Sequence, residues 1–115
     1  MAIKFIKVYD YALHGNKPHA NNTLRTIDIE GKRICLAHIN GKFYATDDKC
    51  PHAGARLGAG FCDEAGMIVC PVHRYKYDPM TGKGANQQGD FIATYPVQEK
   101  QDGIYVGIEK KWWQF

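Results

Sequence analysis

The sequence predicts an all-β protein in which two strand-rich parts flank a loop-rich insert. Three segments alternate apolar and polar residues as half-buried strands do, namely Leu24–Ile29, Arg33–Ile39 and Lys42–Thr46. Glu30-Gly31 and Asn40-Gly41 separate them as two-residue turns, and Asn-Gly is a strong signal for a type I′ hairpin. An antiparallel meander is therefore expected, and no window shows sustained helical periodicity.

Further strands are expected near the two ends of the chain. Ile3–Val8 predicts a first strand and Phe91–Gln98 predicts a late one. Asp102-Gly103 marks a turn before a last strand over Ile104–Glu109. The polar segment Tyr9–Asn22 is expected to be a loop.

The insert covers about forty residues, Asp47–Gln88, and is rich in Gly, Pro, Cys and His. A short piece near Ala53–Leu57 is its one predicted helix. We therefore expect a single domain over residues 1–115. It would consist of an antiparallel sandwich or barrel base that carries a loop-rich subdomain at about residues 47–88.

Length and composition exclude several classes of protein. No segment approaches the about 20 apolar residues that a membrane span needs. Met1–Asp10 lacks the apolar centre of a signal peptide, so a cytoplasmic location is expected, where four cysteines favour metal ligation or free thiols over disulfides. The net charge of +3 is mild and the basic residues are scattered, which argues against nucleic-acid binding and favours docking to an acidic redox partner.

Two short motifs in the insert each combine a thiol with an imidazole. They are Cys50-Pro51-His52 and Cys70-Pro71-Val72-His73, and 17 residues separate His52 from Cys70. The proline fixes the backbone directly after each cysteine. Facing each other, the two loops would offer two sulfurs and two imidazoles. Such a donor set suits one tetrahedral metal ion or a diiron cluster.

A structural zinc site is the first alternative. Familiar Cys₂His₂ zinc sites pair Cys with Cys and His with His, whereas each motif here is mixed. The second alternative is a chance meeting of core cysteines and loop histidines, and two Cys-Pro dipeptides that are each closely followed by a histidine argue against it. The remaining residues of these types lack ligand spacing and are expected to be structural or solvated: Cys35, Cys62, His14, His19 and His38.

The motifs and their flanks resemble the Rieske family of [2Fe–2S] proteins. The spacing C-x-H and then C-x₂-H is the Rieske motif, and DKCPHAGA at residues 48–55 and VCPVH at residues 69–73 extend the likeness. FYATDD before the motifs and YPV and DGIYV after them extend it to about Leu24–Ile108. The resemblance implies a Rieske-like fold with one [2Fe–2S] cluster per chain. It implies that Cys50 and Cys70 bind the inner iron, and that His52 and His73 bind the outer iron.

Within this family the sequence looks like the soluble ferredoxins that feed oxygenases. Respiratory Rieske subunits carry a disulfide where Ala55 and Val72 stand, and a serine hydroxyl where Tyr75 stands. Losing that donor to a cluster sulfur predicts a midpoint potential in the lower half of the range of about −150 to +300 mV. Tyr77 occupies the place of a tyrosine that donates to a cysteine sulfur in respiratory proteins, and Arg74 replaces a usual glycine.

The resemblance implies a soluble one-electron carrier rather than an enzyme. Its partners would be a reductase and a terminal oxygenase or another redox enzyme, with electrons leaving at the exposed edges of His52 and His73. These imidazoles predict a midpoint potential that falls at high pH. The alternatives are a small subunit of a nitrite-reductase-like complex, a zinc-stabilised binding module and a redox sensor.

Two segments match the family pattern poorly or lie outside it. Gly82–Asp90 lacks the proline-containing loop that covers the cluster in many relatives. The tail Lys110–Phe115 contains two tryptophans and is expected to fold back on the base or to contact another copy of the chain, with a docking patch as the alternative.

Overall fold

The computed structural model describes residues 2–14, 20–51, 54–72, 74–85 and 90–110, which fold mainly into antiparallel strands. The all-β prediction is therefore confirmed. The described strands are, in chain order, β1 (Ala2–Asp10), β2 (Thr23–Ile29), β3 (Lys32–Ile39), β4 (Lys42–Asp47), β5 (Phe61–Cys62), β6 (Ile68–Val69), β7 (Lys76–Tyr77), β8 (Thr94–Tyr95), β9 (Val97–Glu99) and β10 (Gly103–Lys110).

The strands form three sheets. The first contains β2, β3, β4 and β8 in that order, the second contains β1, β10 and β9, and the third contains β5, β6 and β7. The predicted meander is the β2–β3–β4 part of the first sheet. Its turns, Glu30-Gly31 and Asn40-Gly41, have positive φ at both residues, as type I′ turns require. That backbone twist matches the flanking strands and fixes their register.

The predicted strand over Phe91–Gln98 is wrong as a single element. Two short strands, β8 and β9, replace it, and they lie in different sheets. Pro96 stands between them and has no N–H to donate to a continuous ladder. The chain therefore changes partners there, from β4 on one side to β10 on the other.

Two helical segments also differ from expectation. The segment predicted as a loop begins with the last two residues of β1. It continues as a four-residue helix, α1 (Tyr11–His14), whose Ala12 N–H donates to the Asp10 carboxylate at 2.9 Å. The helix expected near Ala53–Leu57 is a 3₁₀ turn over Leu57–Ala59, and Ala53 lies outside the described residues. In the described part of the chain, the helical segments are far too short to reach across a lipid bilayer.

Strand β3 separates two cores, because every residue from Ile34 to Ile39 is buried. Successive side chains of a strand point to opposite faces. One face joins the base core, which comprises Tyr9, Ile29, Ile34, Leu36, Phe43, Ala45, Ile104 and Val106. The other face joins the insert core, which comprises Cys35, Ala37, Ile39, Cys50, Leu57, Ile68, Cys70, Tyr77 and Ile92. The single domain with its insert at about residues 47–88 stays a prediction.

A buried carboxylate anchors the start of the insert to the sheet. Asp48 is 3% exposed, and its oxygens accept the Gly58 N–H at 2.8 Å and the Thr26 hydroxyl at 3.1 Å. Its main-chain carbonyl accepts the Leu57 N–H at 2.5 Å. Asp48, at the start of the first loop of the insert, is therefore bonded both to β2 and to the far end of that loop.

We expect Asp48→Asn to lower the free energy of unfolding by about 1–3 kcal/mol, because a carboxylate accepts hydrogen bonds more strongly than an amide, and the amide keeps only one acceptor oxygen for the Gly58 N–H and the Thr26 hydroxyl. The urea-unfolding midpoint measures the change. Asp28→Asn, at an exposed position of β2, is the matched control and should stay within about 0.5 kcal/mol of the parent protein. A midpoint for Asp48→Asn equal to that of the control would contradict the anchoring role.

Candidate metal centre

The two cysteine motifs occupy two hairpin tips of the same length, which we call the first tip (residues 50–55) and the second tip (residues 70–75). In the first tip the Cys50 N–H donates to the Ala55 carbonyl at 2.9 Å. In the second tip the Cys70 N–H donates to the Tyr75 carbonyl at 2.8 Å. Each cysteine thus opens a turn that its own N–H closes, and the two tips present their cysteines in the same way.

The backbone takes the same unusual conformation at the fifth position of each tip. Gly54 has φ 69° and Arg74 has φ 57°. A residue with a Cβ costs roughly 1–2 kcal/mol in this left-handed region, so glycine is the natural choice. This requirement explains why glycine is the usual residue of the family at position 74, and it means that the backbone of Arg74 is strained.

The Cys50 and Cys70 side chains meet in the insert core. Both are 0% exposed, both are free thiols, and both belong to the same buried cluster. Burial raises the pKa of the Cys70 thiol, a backbone hydrogen bond from Val72 acts against this, and the neighbouring Cys50 side chain raises it further. Buried thiolates are unstable without a compensating charge, which a bound metal ion supplies. The pair therefore fits the sulfur side of an iron centre.

The two predicted imidazole ligands, His52 and His73, lie outside the residues that the structure describes. Their roles stay predictions. Within the described ranges, no group of three or more His, Cys, Asp and Glu side chains could hold a metal ion. The described half of the predicted donor set is the pair of thiols.

The Tyr77 hydroxyl lies beside the cysteine pair. Tyr77 is 0% exposed, its oxygen is 3.6 Å from the Cys50 Sγ, and it donates to the Asp90 carboxylate at 2.6 Å. Burial raises the pKa of its phenol, and the bonds to Asp90 and Cys50 raise it further. Tyr75, which stands where respiratory proteins have a serine, is half-buried against the insert core. Asp90 was not among the predicted site residues, and no local sequence signal marks it.

The remaining cysteines and one histidine behave as predicted. Cys35 and Cys62 are free thiols, and burial raises the pKa of both, that of Cys62 to about 11. His38 is buried on β3, and its ring stacks on Phe43 with centroids 4.1 Å apart. These three residues are accounted for by packing.

Comparison with known proteins supports the interpretation of the two motifs. The profile of the family described as "Rieske [2Fe-2S] domain" matches residues 10–96. The chain is 40% identical over 84 residues to the ferredoxin component of the naphthalene 1,2-dioxygenase/salicylate 5-hydroxylase systems of Ralstonia sp. That match covers 72% of this chain and 80% of the relative.

Two solved structures are also similar. A chain in the complex of reduced oxygenase and oxidized ferredoxin of carbazole 1,9a-dioxygenase has a TM-score of 0.75 and 28% identity, covering 93% of this chain and 95% of that one. The Sphingomonas yanoikuyae B1 ferredoxin has a TM-score of 0.73 and 23% identity, covering 94% of this chain and 100% of that one. The second likeness shows the fold alone.

We expect Arg74→Gly to be more stable toward unfolding than Arg74→Ala by about 0.5–1 kcal/mol, because only the alanine keeps a strained Cβ. Urea-unfolding midpoints of the two variants measure the difference. The same pair of substitutions at Lys42, an exposed position inside β4, should give the opposite order. Alanine above glycine at both positions would contradict the left-handed conformation of Arg74.

Proposed function

This chain belongs to the Rieske [2Fe–2S] domain family, and we propose that it takes single electrons from a reductase and passes them to a terminal oxygenase. It binds a [2Fe–2S] cluster and carries electrons, and it is not itself the enzyme of such a system. The relatives named as ferredoxin components of dioxygenase systems support this over a nitrite-reductase subunit or a zinc-stabilised module.

One observation carries the assignment of ligands, namely the meeting of two buried free thiols at the roots of two matched tips. Cys50 and Cys70 would hold the inner iron, and His52 and His73, from the same two motifs, would hold the outer iron. When bound, such a cluster takes up one electron and gives it back, with its potential set by ligands, hydrogen bonds and exposure.

The protein buries the sulfur donors, while described residues beside the two histidines are exposed. Leu57, Ile68 and Tyr77 are fully buried in the core that contains both cysteines. Pro51 and Val72, which directly precede the two histidines, are exposed, Val72 by 40%. Donors held by packing keep their geometry when the charge changes. Exposed tips suit electron exit through the imidazoles.

A cytoplasmic location goes with this function. All four cysteines are free thiols, as is usual in a reducing compartment. The reductase and oxygenase partners of such a carrier would share that compartment.

We expect Cys50→Ser and Cys70→Ser to lose the cluster, since each removes a thiolate ligand. Cys62→Ser is the matched control and should keep about two iron and two sulfide per chain. His73→Cys should keep a cluster with a lower midpoint potential, because a thiolate in place of a neutral imidazole adds negative charge at the outer iron. Iron and sulfide analysis and a redox titration measure these outcomes.

One zinc per chain in the parent protein, or a full cluster in Cys50→Ser, would contradict the ligand assignment. The carrier role is tested separately, by mixing the reduced protein with the terminal oxygenase of a naphthalene 1,2-dioxygenase system. Loss of the EPR signal of the reduced cluster, in step with reduction of the oxygenase, is the expected result. A signal that persists unchanged would contradict electron transfer to this class of partner.

A further inference from the structure

Four basic side chains from three separate places in the sequence line one cavity beside the first tip. The cavity has a volume of about 430 Å³, and its charged lining consists of Lys32, Arg33, Lys49, Arg56, Asp47 and Asp48. The four cationic residues are all exposed, and we call them the basic patch. Folding thus concentrates charge that the sequence leaves dispersed.

The two carboxylates of the cavity are turned to partners within the fold. Asp48 accepts the bonds from Thr26 and Gly58, and Asp47 accepts the Tyr95 hydroxyl at 2.5 Å. None of the four cationic residues forms an ion pair with any residue that the structure describes. The basic patch therefore presents positive charge to solvent.

The basic patch borders the first tip directly. Lys49 precedes Cys50 and pairs across the hairpin with Arg56, and its side chain runs along Gly54, where a Cβ would lie 3.8 Å from its Cε. Like charges placed directly opposite each other destabilise a hairpin. Because this pair costs stability and lies next to the predicted electron exit, we infer that its positive charge has a functional role.

We propose that the basic patch is the docking surface for an acidic face of a redox partner, an inference that rests on the carrier function proposed above. Docking there would bring a partner against the first tip, where electrons are expected to leave. Opposite charges speed the encounter of such partners by factors of about 10–10³ at low salt. Screening at high ionic strength removes most of this gain.

The test uses the reduced holoprotein and two oxidants of opposite charge, hexacyanoferrate(III) and hexaamminecobalt(III). Each accepts one electron from the reduced cluster, and stopped-flow absorbance gives the rate. The double variant Lys49→Glu/Arg56→Glu should slow the reaction with hexacyanoferrate(III) about tenfold at low salt and speed the reaction with hexaamminecobalt(III). Both changes should shrink at high salt.

The matched control is Lys42→Glu/Lys100→Glu, which changes the net charge equally at exposed positions outside the basic patch. Equal effects of the two double variants would overturn the docking surface, since only net charge would then matter. Failure of the parent protein to be reduced and reoxidised reversibly would overturn the carrier function itself. Iron content and the midpoint potential of each variant show that the cluster is intact.

A separate observation concerns the Tyr77 hydroxyl, which has one hydrogen and two neighbouring acceptors. The hydrogen goes to Asp90 at 2.6 Å, while the Cys50 sulfur lies 3.6 Å from the same oxygen. A cysteine that ligates iron has no hydrogen of its own, so only the tyrosine could donate to it. Asp90 and the Cys50 sulfur therefore compete for one hydrogen.

The geometry points to Asp90 as a positioning residue that holds this hydrogen away from Cys50. Donors to the sulfurs of a cluster stabilise its reduced form and raise its potential. Diverting the Tyr77 hydrogen to Asp90 removes such a donor, so the reduced form is less favoured than the presence of Tyr77 alone would suggest. The effect of Tyr77 on the midpoint potential therefore depends on whether its hydrogen is bound to Asp90.

A double-mutant cycle tests this with the midpoint potential as its measurement. Asp90→Ala should shift the equilibrium toward the reduced form about threefold to tenfold, the gain of one hydrogen bond. In a Tyr77→Phe background the same change should have a clearly smaller effect, because no hydroxyl is left to redirect. Tyr77→Phe alone should change the potential little.

Equal shifts from Asp90→Ala in the two backgrounds would mean that only the charge of Asp90 matters and would overturn the competition. A large fall in potential from Tyr77→Phe alone would overturn it as well, since the hydroxyl would then already serve the sulfur. If Asp90→Ala fails to load the cluster, Asp90→Leu, whose side chain likewise offers no acceptor, replaces it in the same two backgrounds, with the same expected order.

Discussion

Burying two sulfur donors side by side is the constraint on which the rest of this structure depends. Two separate stretches of chain have to enter one core and leave it again without unpaired backbone groups. Both tips meet this demand in the same way, with a cysteine N–H bonded to a carbonyl five residues later. The sulfurs then stay inside, and exposed residues such as Pro51 and Val72 stay outside.

Strand β3 fixes the cysteine pair relative to the base, because it contributes to both cores at once. A slip of one residue would carry Cys35 and Ala37 into the base core and Ile34 and Leu36 into the insert core. The small side chains on the insert face let the tips pack close to the sheet. The type I′ turns on either side of β3 oppose such a slip, since their geometry sets the register.

Sequence alone could predict the features that depend on near neighbours in the chain. The Asn40-Gly41 turn follows from local dihedral preferences, and each cysteine motif holds its ligand candidates within a few residues. Pro96 was available as a signal that divides a strand. By contrast, the bond between Tyr77 and Asp90, which lie 13 residues apart, depends on how the insert folds back on itself, and no periodicity encodes that.

Two polar features affect this site, one exposed at the surface and one buried beneath the cysteines. The basic patch is exposed, acts over long distances and is screened by salt. The hydrogen bond between Tyr77 and Asp90 involves a buried hydroxyl, acts only at contact distance and is little affected by ions in solution. Substitution on the surface would therefore change how fast a partner is found, whereas substitution beneath the cysteines would change the driving force for each electron. Because different residues control the two properties, partner preference and potential can diverge separately within one fold.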